Sequence, residues 1–276
     1  MKLIERLRKS TGMAHNIPHL DNAPFLKVSE LNVRYDGRPA LYDINFEVEA
    51  GQRVAVVGPN GAGKSTLFQV IAGVLPASSG SVAISGHQPS GHICIAYVPQ
   101  RNDVDWDFPV TIADVVMMGR IGKLGLLRGP KEADWKLVHE CIDMVGLTAL
   151  AGRQINALSG GQQQRMFIAQ AVAQEAELLM MDEPLSGLDA PSQEEVFDIL
   201  TQLSKRGVTV MIATHDLGLA AARFDQAMLL NQRLLGFGAP DEIFTEERLR
   251  AAYGGHLQLI PTDEGVLVIG DNCCDD

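Results

Sequence analysis

Apolar and polar positions alternate along FLKVSELNVRY, which begins at Phe25, and again along INFEV, while RVAVVG is a short apolar run, and all three patterns predict β-strands. The spacing then changes. KSTLFQVIAG repeats its apolar residues at helical intervals and ends at Gly73, after which SVAIS and ICIAYVP return to strands on either side of the polar turn GHQPSGH. From Thr111 to about Ala173 the period is helical, in TIADVVMMG, KEADWKLVHECIDMVG and GQQQRMFIAQAVA, and no segment there reads as a strand. Farther on, ELLMMDEP and VTVMIATHD are unbroken apolar runs of the kind buried on both faces of a parallel sheet. Between them PSQEEVFDILTQLSKRG predicts a helix opened by Pro191 and closed by Gly207.

This order of elements is α/β: a β-rich beginning, a parallel α/β core, and a helical block over about 103–173 inserted into that core. Residues 1–24 stand apart. Lys2, Arg6, Arg8 and Lys9 lie among Leu3, Ile4 and Leu7, and Gly12, Pro18 and Pro24 then break the pattern. The segment reads as a flexible extension to which no function is assigned, with a short lipid-touching amphipathic helix as the alternative.

Composition narrows the classes. At 276 residues and 46% hydrophobic content the chain can fill one large core or two small ones. Lys and Arg number 23 against 34 Asp and Glu, and the net charge of -11 argues against a protein that grips nucleic-acid phosphates over a broad surface. A local phosphate pocket stays compatible with it. No apolar run approaches the ~20 residues needed to span a bilayer, and the N-terminus lacks the apolar core of a secretory signal, so the chain is expected in the cytosol. The four Cys make neither a disulfide framework nor a spaced zinc pair; Cys94 and Cys141 read as core residues. Cys273 and Cys274 end the chain in GDNCCDD beside Asp271, Asp275 and Asp276, a tail expected to be disordered, with transition-metal sensing as the rival reading.

The candidate chemistry begins with GPNGAGKST: Gly58, Pro59, Asn60, Gly61, Ala62, Gly63, Lys64, Ser65 and Thr66, between a strand and a helix. Glycines there let backbone N–H groups and the helix N-terminus face phosphate oxygens. Lys64 would reach the β- and γ-phosphates, Ser65 would ligate Mg²⁺, and Thr66 would help hold the α-phosphate. In LLMMDE, Asp182 emerges at the carboxyl end of a buried strand, where it can hold Mg²⁺ through water. Glu183, one residue on, is the candidate that polarises the attacking water, and His215, ending another buried strand, can hydrogen-bond the γ-phosphate.

LSGGQQQR, Leu158 to Arg165, taken with those motifs, resembles the ATPase subunit of ATP-binding cassette proteins over roughly Phe25 to Phe244. The resemblance implies a P-loop NTPase core with a parallel sheet, an N-terminal antiparallel β subdomain and an inserted helical subdomain, followed by a C-terminal segment over 245–276. It implies ATP and Mg²⁺ as cofactors, and a head-to-tail homodimer that sandwiches two ATP. Ser159, Gly160, Gly161 and Gln162 of one copy would then close over the nucleotide held by the other. Asp189, in SGLD, would lie at the dimer seam; Gln100 would sense Mg²⁺ and the attacking water; Tyr35, in VRYDG, would lie against adenine.

Two classes share this engine: the motor of a membrane transporter, and a soluble cassette ATPase acting on DNA or ribosomes. One cassette, no sustained heptad run and the acidic balance favour the transporter, and argue against a nucleic-acid partner. Lacking a spanning segment, the chain would dock on a separate permease at the cytoplasmic face of the inner membrane, in an importer served by an extracytoplasmic metal-binding protein. VPQRNDVDWDFPVTIADVVMMGR, continued by IGKLGLLRGP, is similar to ATPases of the manganese, zinc and iron-chelate importers, with manganese first. Within it, Gln100 to Met118 is the expected permease contact: Trp106 and Phe108 as aromatic anchors among acids, and Ile112, Val115 and Val116 as the apolar wall of a docking groove.

Overall fold

The computed structural model describes residues 24–87, 95–100, 104–124 and 129–254, and the backbone of 257–262 and 265–270. The expectations for the N-terminal extension, for Cys94 and for the Cys273–Cys274 tail lie outside the described residues. The chain divides into two compact units, one of Pro24–Pro89 with Met211–Asp276, the other containing Ser90–Val210.

In the first unit β1 (Leu26–Tyr35) and β2 (Arg38–Val48) form an antiparallel hairpin. β3 (Arg53–Val57) leads through the Gly-rich run into α1 (Lys64–Ile71), and β4 (Ser79–Ile84) follows. β2, β1 and β4 make a three-stranded antiparallel sheet. Its alternation is the one the sequence announces: Leu26, Val28, Leu31 and Val33 are buried while Lys27 is exposed.

The other unit opens with β5 (Ile95–Val98). Then come α2 (Ile112–Met118), the short α3 (Ile121–Leu124), α4 (Glu132–Met144) and α5 (Gly160–Gln174). β6 (Leu178–Asp182) pairs in parallel with β5, and α6 (Ala190–Ser204) follows. β7 (Thr209–Thr214) carries the chain back into the first unit. Thr111 starts α2 through a reciprocal cap: its N–H donates to Asp114 Oδ2 (2.9 Å) while its hydroxyl accepts from Asp114 N (3.3 Å).

The helical block corrects one expectation. Ile112, Val115 and Val116 do not wall a groove; they are 0%, 6% and 0% exposed, on a helix that packs against α4 and α5. Helical spacing marks an apolar face without saying what covers it, and here the subdomain's own core does. Cys141, on α4, is fully buried as expected, and burial pushes its thiol up to about 12.

Beyond His215 the structure adds elements that apolar spacing does not announce: α7 (Leu217–Arg223), β8 (Gln226–Asn231), β9 (Arg233–Gly238), α8 (Pro240–Ile243), α9 (Glu246–Tyr253), β10 (Leu257–Thr262) and β11 (Gly265–Gly270). β8 pairs in parallel with β3 and antiparallel with β9. Val54 to Val57 are fully buried in β3, the three Val side chains each worth about 1.5–3 kcal/mol. The start of β3 is pinned by Arg53: its backbone N–H donates to Asp225 Oδ2 (3.0 Å) and its guanidinium Nη2 to Asp225 Oδ1 (2.8 Å).

Candidate nucleotide site

The candidate residues fall in both units. In the first, the Gly58–Thr66 loop is clamped so tightly that only glycine fits at positions 58 and 63. A Cβ on Gly58 would lie 2.0 Å from the carbonyl oxygen of Leu230 in β8. Gly63 has φ 94°, and a Cβ there would meet Leu41 Cδ2 at 2.6 Å and Ala40 O at 2.9 Å, both from β2. From the turn between β8 and β9, Gln232 N–H donates to Ala62 O (2.8 Å), and Gln232 O accepts from Tyr42 N–H (2.7 Å). The loop is thus braced on two sides before any ligand arrives.

Lys64 is 7% exposed, and its ammonium donates to Gly58 O (2.7 Å) and Pro59 O (3.0 Å). The charge is held over the loop itself, where an anion would be drawn. Gly63 caps α1 without a side-chain hydrogen bond of its own, and the first N–H groups of a helix have no partner within the helix itself. Asn60, Gly61 and Ser65 are exposed, Pro59 and Thr66 half-buried, and Ala62 buried. Tyr35 ends β1 at 44% exposure, and His215, exposed, is the residue after β7.

In the other unit Asp182 ends β6 with its residue 5% exposed. Glu183 follows in the left-handed region at φ 47°, a backbone state that costs a non-glycine residue about 1–3 kcal/mol and is retained at sites where it aims a side chain. Gln100 lies two residues beyond β5 and is exposed. Ser159 caps α5: its hydroxyl accepts from Gln162 N–H (3.4 Å), and Gln162 Oε1 accepts from Ser159 N–H (3.0 Å). Gly160 is the first residue of the helix. Asp189 caps α6, its Oδ1 accepting from Ser192 N–H (3.3 Å).

These two helix starts touch. A Cβ on Gly161 would fall 2.8 Å from both Cβ and Oγ of Ser192. Gln193 Nε2 donates to Leu188 O (3.2 Å), with a longer contact to Leu185 O (3.4 Å), spanning the SGLD loop. Leu230, Gln232 and Ser192 went unmarked in the sequence, because contacts between distant residues leave no spacing. Gln193 was within reach, since it follows Asp189 by one helical turn.

The profile of the ABC transporter family matches residues 41–186. The chain belongs to that family. The manganese transport system ATP-binding protein of Bacillus subtilis is 43% identical over 236 residues, 85% of this chain and 94% of that protein. The zinc transport system ATP-binding protein of Treponema pallidum is 44% identical, covering 84% of this chain and 88% of its own. A chelated iron transport system protein of Yersinia pestis is also 44% identical, over 86% of this chain and 81% of its own. Among solved structures, a metal-chelate type ABC transporter in an inward-facing conformation has a chain 31% identical with TM-score 0.76, covering 89% of this chain and 96% of that one. The expected fold class and the cassette resemblance are borne out, and the chain is an ATP-binding ABC ATPase of a transport system. Among the described residues no helix is long and apolar enough to cross a membrane.

Proposed function

We propose that the chain is the ATP-hydrolysing motor of a transition-metal importer, with manganese as the first cargo and zinc or an iron chelate as the alternatives. The motor reading is carried by Glu183, held in a strained backbone state directly after the buried Asp182 carboxylate. The cargo reading is supported by manganese, zinc and chelated-iron relatives that align over most of both chains. The metal itself is cargo, and the ATPase need not touch it.

The residues fit ATP and Mg²⁺. Loop N–H groups from Gly58 to Thr66, with Lys64, hold the phosphates, and Tyr35 lies against adenine. One buried carboxylate, Asp182, and the hydroxyl of Ser65 suit Mg²⁺, which keeps several waters and takes few protein ligands; Gln100 completes that set. Bound there, Mg²⁺ supplies charge neutralisation at the β- and γ-phosphates. Glu183 orients a water and accepts its proton, and His215 donates a hydrogen bond toward the γ-phosphate.

A second copy supplies Ser159, Gly160, Gly161 and Gln162 across a homodimer, whose seam holds Asp189. The motor works at the cytoplasmic face of the inner membrane on a separate permease, with an extracytoplasmic metal-binding protein and no nucleic acid. The permease contact is revised by the burial of α2. Among the described residues of this stretch, Phe108, Met118 and Ile121, at 55%, 38% and 59% exposure, are the large apolar residues open to it. Trp106 instead stacks edge-on against Phe167, with ring centroids 5.8 Å apart.

Glu183→Gln tests the motor. It should bind ATP and accumulate as an ATP-locked dimer in size-exclusion chromatography while turnover falls by about 10²–10⁴-fold. Unchanged turnover would sink the assignment. Uptake of manganese, zinc and iron, compared in cells lacking and regaining this gene with its permease, decides the cargo.

A further inference from the structure

The last turn of α5 is a junction. Gly119, at the end of α2, presses against it so closely that a Cβ would lie 2.4 Å from Gln170 O and 3.2 Å from Gln174 N. Next to it, Arg120 Nη1 donates to Ala173 O (2.9 Å) and to Glu175 Oε1 (2.8 Å), and Lys123 pairs with Glu175 Oε2. Asp134 of α4 lies 3.6 Å from Arg120 Nε. Glu175 ends α5 in the left-handed region at φ 61°, with its side chain 8% exposed; those of Arg120, Lys123 and Asp134 are 12%, 19% and 15% exposed.

No residue of α3 is buried, so the segment Met118–Leu124 is held to α5 by these charges and by Gly119. Its outer side presents Met118 and Ile121. The same turn of α5 reaches β5 through Gln174 Nε2, which donates to Ile95 O (2.7 Å). At the far end of α5, about 22 Å away for 15 residues, lie Ser159 to Gln162.

We propose that Glu175 is a positioning residue that couples the permease-facing segment to α5, so that displacement of Met118 and Ile121 moves the nucleotide-facing end of that helix. The inference rests on the reading that the permease docks on this segment. A carboxylate shared by two largely buried cations is a stiff, directional link. Neutralising it takes the carboxylate partner from Lys123 and leaves Arg120 with Asp134 of α4 alone, so the charges no longer tie the segment to α5.

Glu175→Gln is tested in the complete permease complex in lipid nanodiscs. ATP affinity and basal turnover of the isolated subunit should stay within about twofold of wild type, while permease-stimulated turnover and metal moved per ATP fall by about fivefold or more. Amide exchange over residues 112–124 should quicken, with residues 178–182 unchanged. Arg120→Lys should preserve partial coupling. Full stimulation in Glu175→Gln, or basal turnover falling in step with stimulation, would overturn the proposal, as would unchanged exchange over 112–124. Ile121→Asp separates the two readings. If it binds the permease as wild type does, the docking reading fails, while the exchange result still decides whether Glu175 holds the segment.

Discussion

Gly161→Ala should cost far more activity than stability. The added methyl would stand 2.8 Å from both Cβ and Oγ of Ser192, whereas carbon atoms in contact settle at about 3.5–4.0 Å, so the starts of α5 and α6 must part by about 1 Å. Overpacking of that size costs about 1–3 kcal/mol, and the better helix propensity of Ala returns about 1 kcal/mol. The net loss of about 0–2 kcal/mol lowers Tm by no more than about 8 °C and leaves the protein folded. Function is less forgiving, because a 1 Å misplacement of groups that must close on a nucleotide costs about 10²-fold. Steady-state ATPase kinetics and thermal unfolding, run on the same preparations, separate the two effects. Ser192→Gly removes both atoms that the methyl meets, so the double variant should regain most of the turnover, with a coupling energy of about 0.5–3 kcal/mol. Full turnover in Gly161→Ala, or a double variant no better than the single, would refute the steric argument.

Two further outcomes follow from titrating groups. The hydrogen bond from Arg53 holds the Asp225 carboxyl below its ordinary value of 3.8, against the opposing effect of burial. Its folded value is depressed, so its stabilisation is present above the unfolded value and disappears as pH falls through the folded one. The Tm gap between wild type and Asp225→Asn should therefore be constant near neutrality and narrow only below about pH 4; a gap constant down to pH 3 would contradict the pairing. Cys141, its thiol pushed up to about 12 mainly by desolvation, should resist a disulfide reagent at pH 8 in a variant whose Cys94, Cys273 and Cys274 are Ser. Labelling should then track unfolding in denaturant, and rapid labelling of the native protein would show that the burial is wrong.

What the chain's order of residues determined is local. Gly58 to Thr66 between strand and helix, Ser159 with Gln162 three residues on, and the apolar run ending in Asp182 are short-range patterns whose geometry follows from backbone conformation and helix capping. The family and its ATPase chemistry were legible from them. Tertiary structure decided what covers each face. Ile112, Val115 and Val116 look in sequence like any apolar stripe, and only α4 and α5 turn them from a docking wall into core, leaving Phe108, Met118 and Ile121 outside. It also decided the braces: Leu230 and Gln232 against a loop some 170 residues earlier, and Glu175 between Arg120 and Lys123. Periodicity records which side of an element avoids water, whereas a contact between distant residues depends on how every intervening element packs, and no spacing along the chain encodes it.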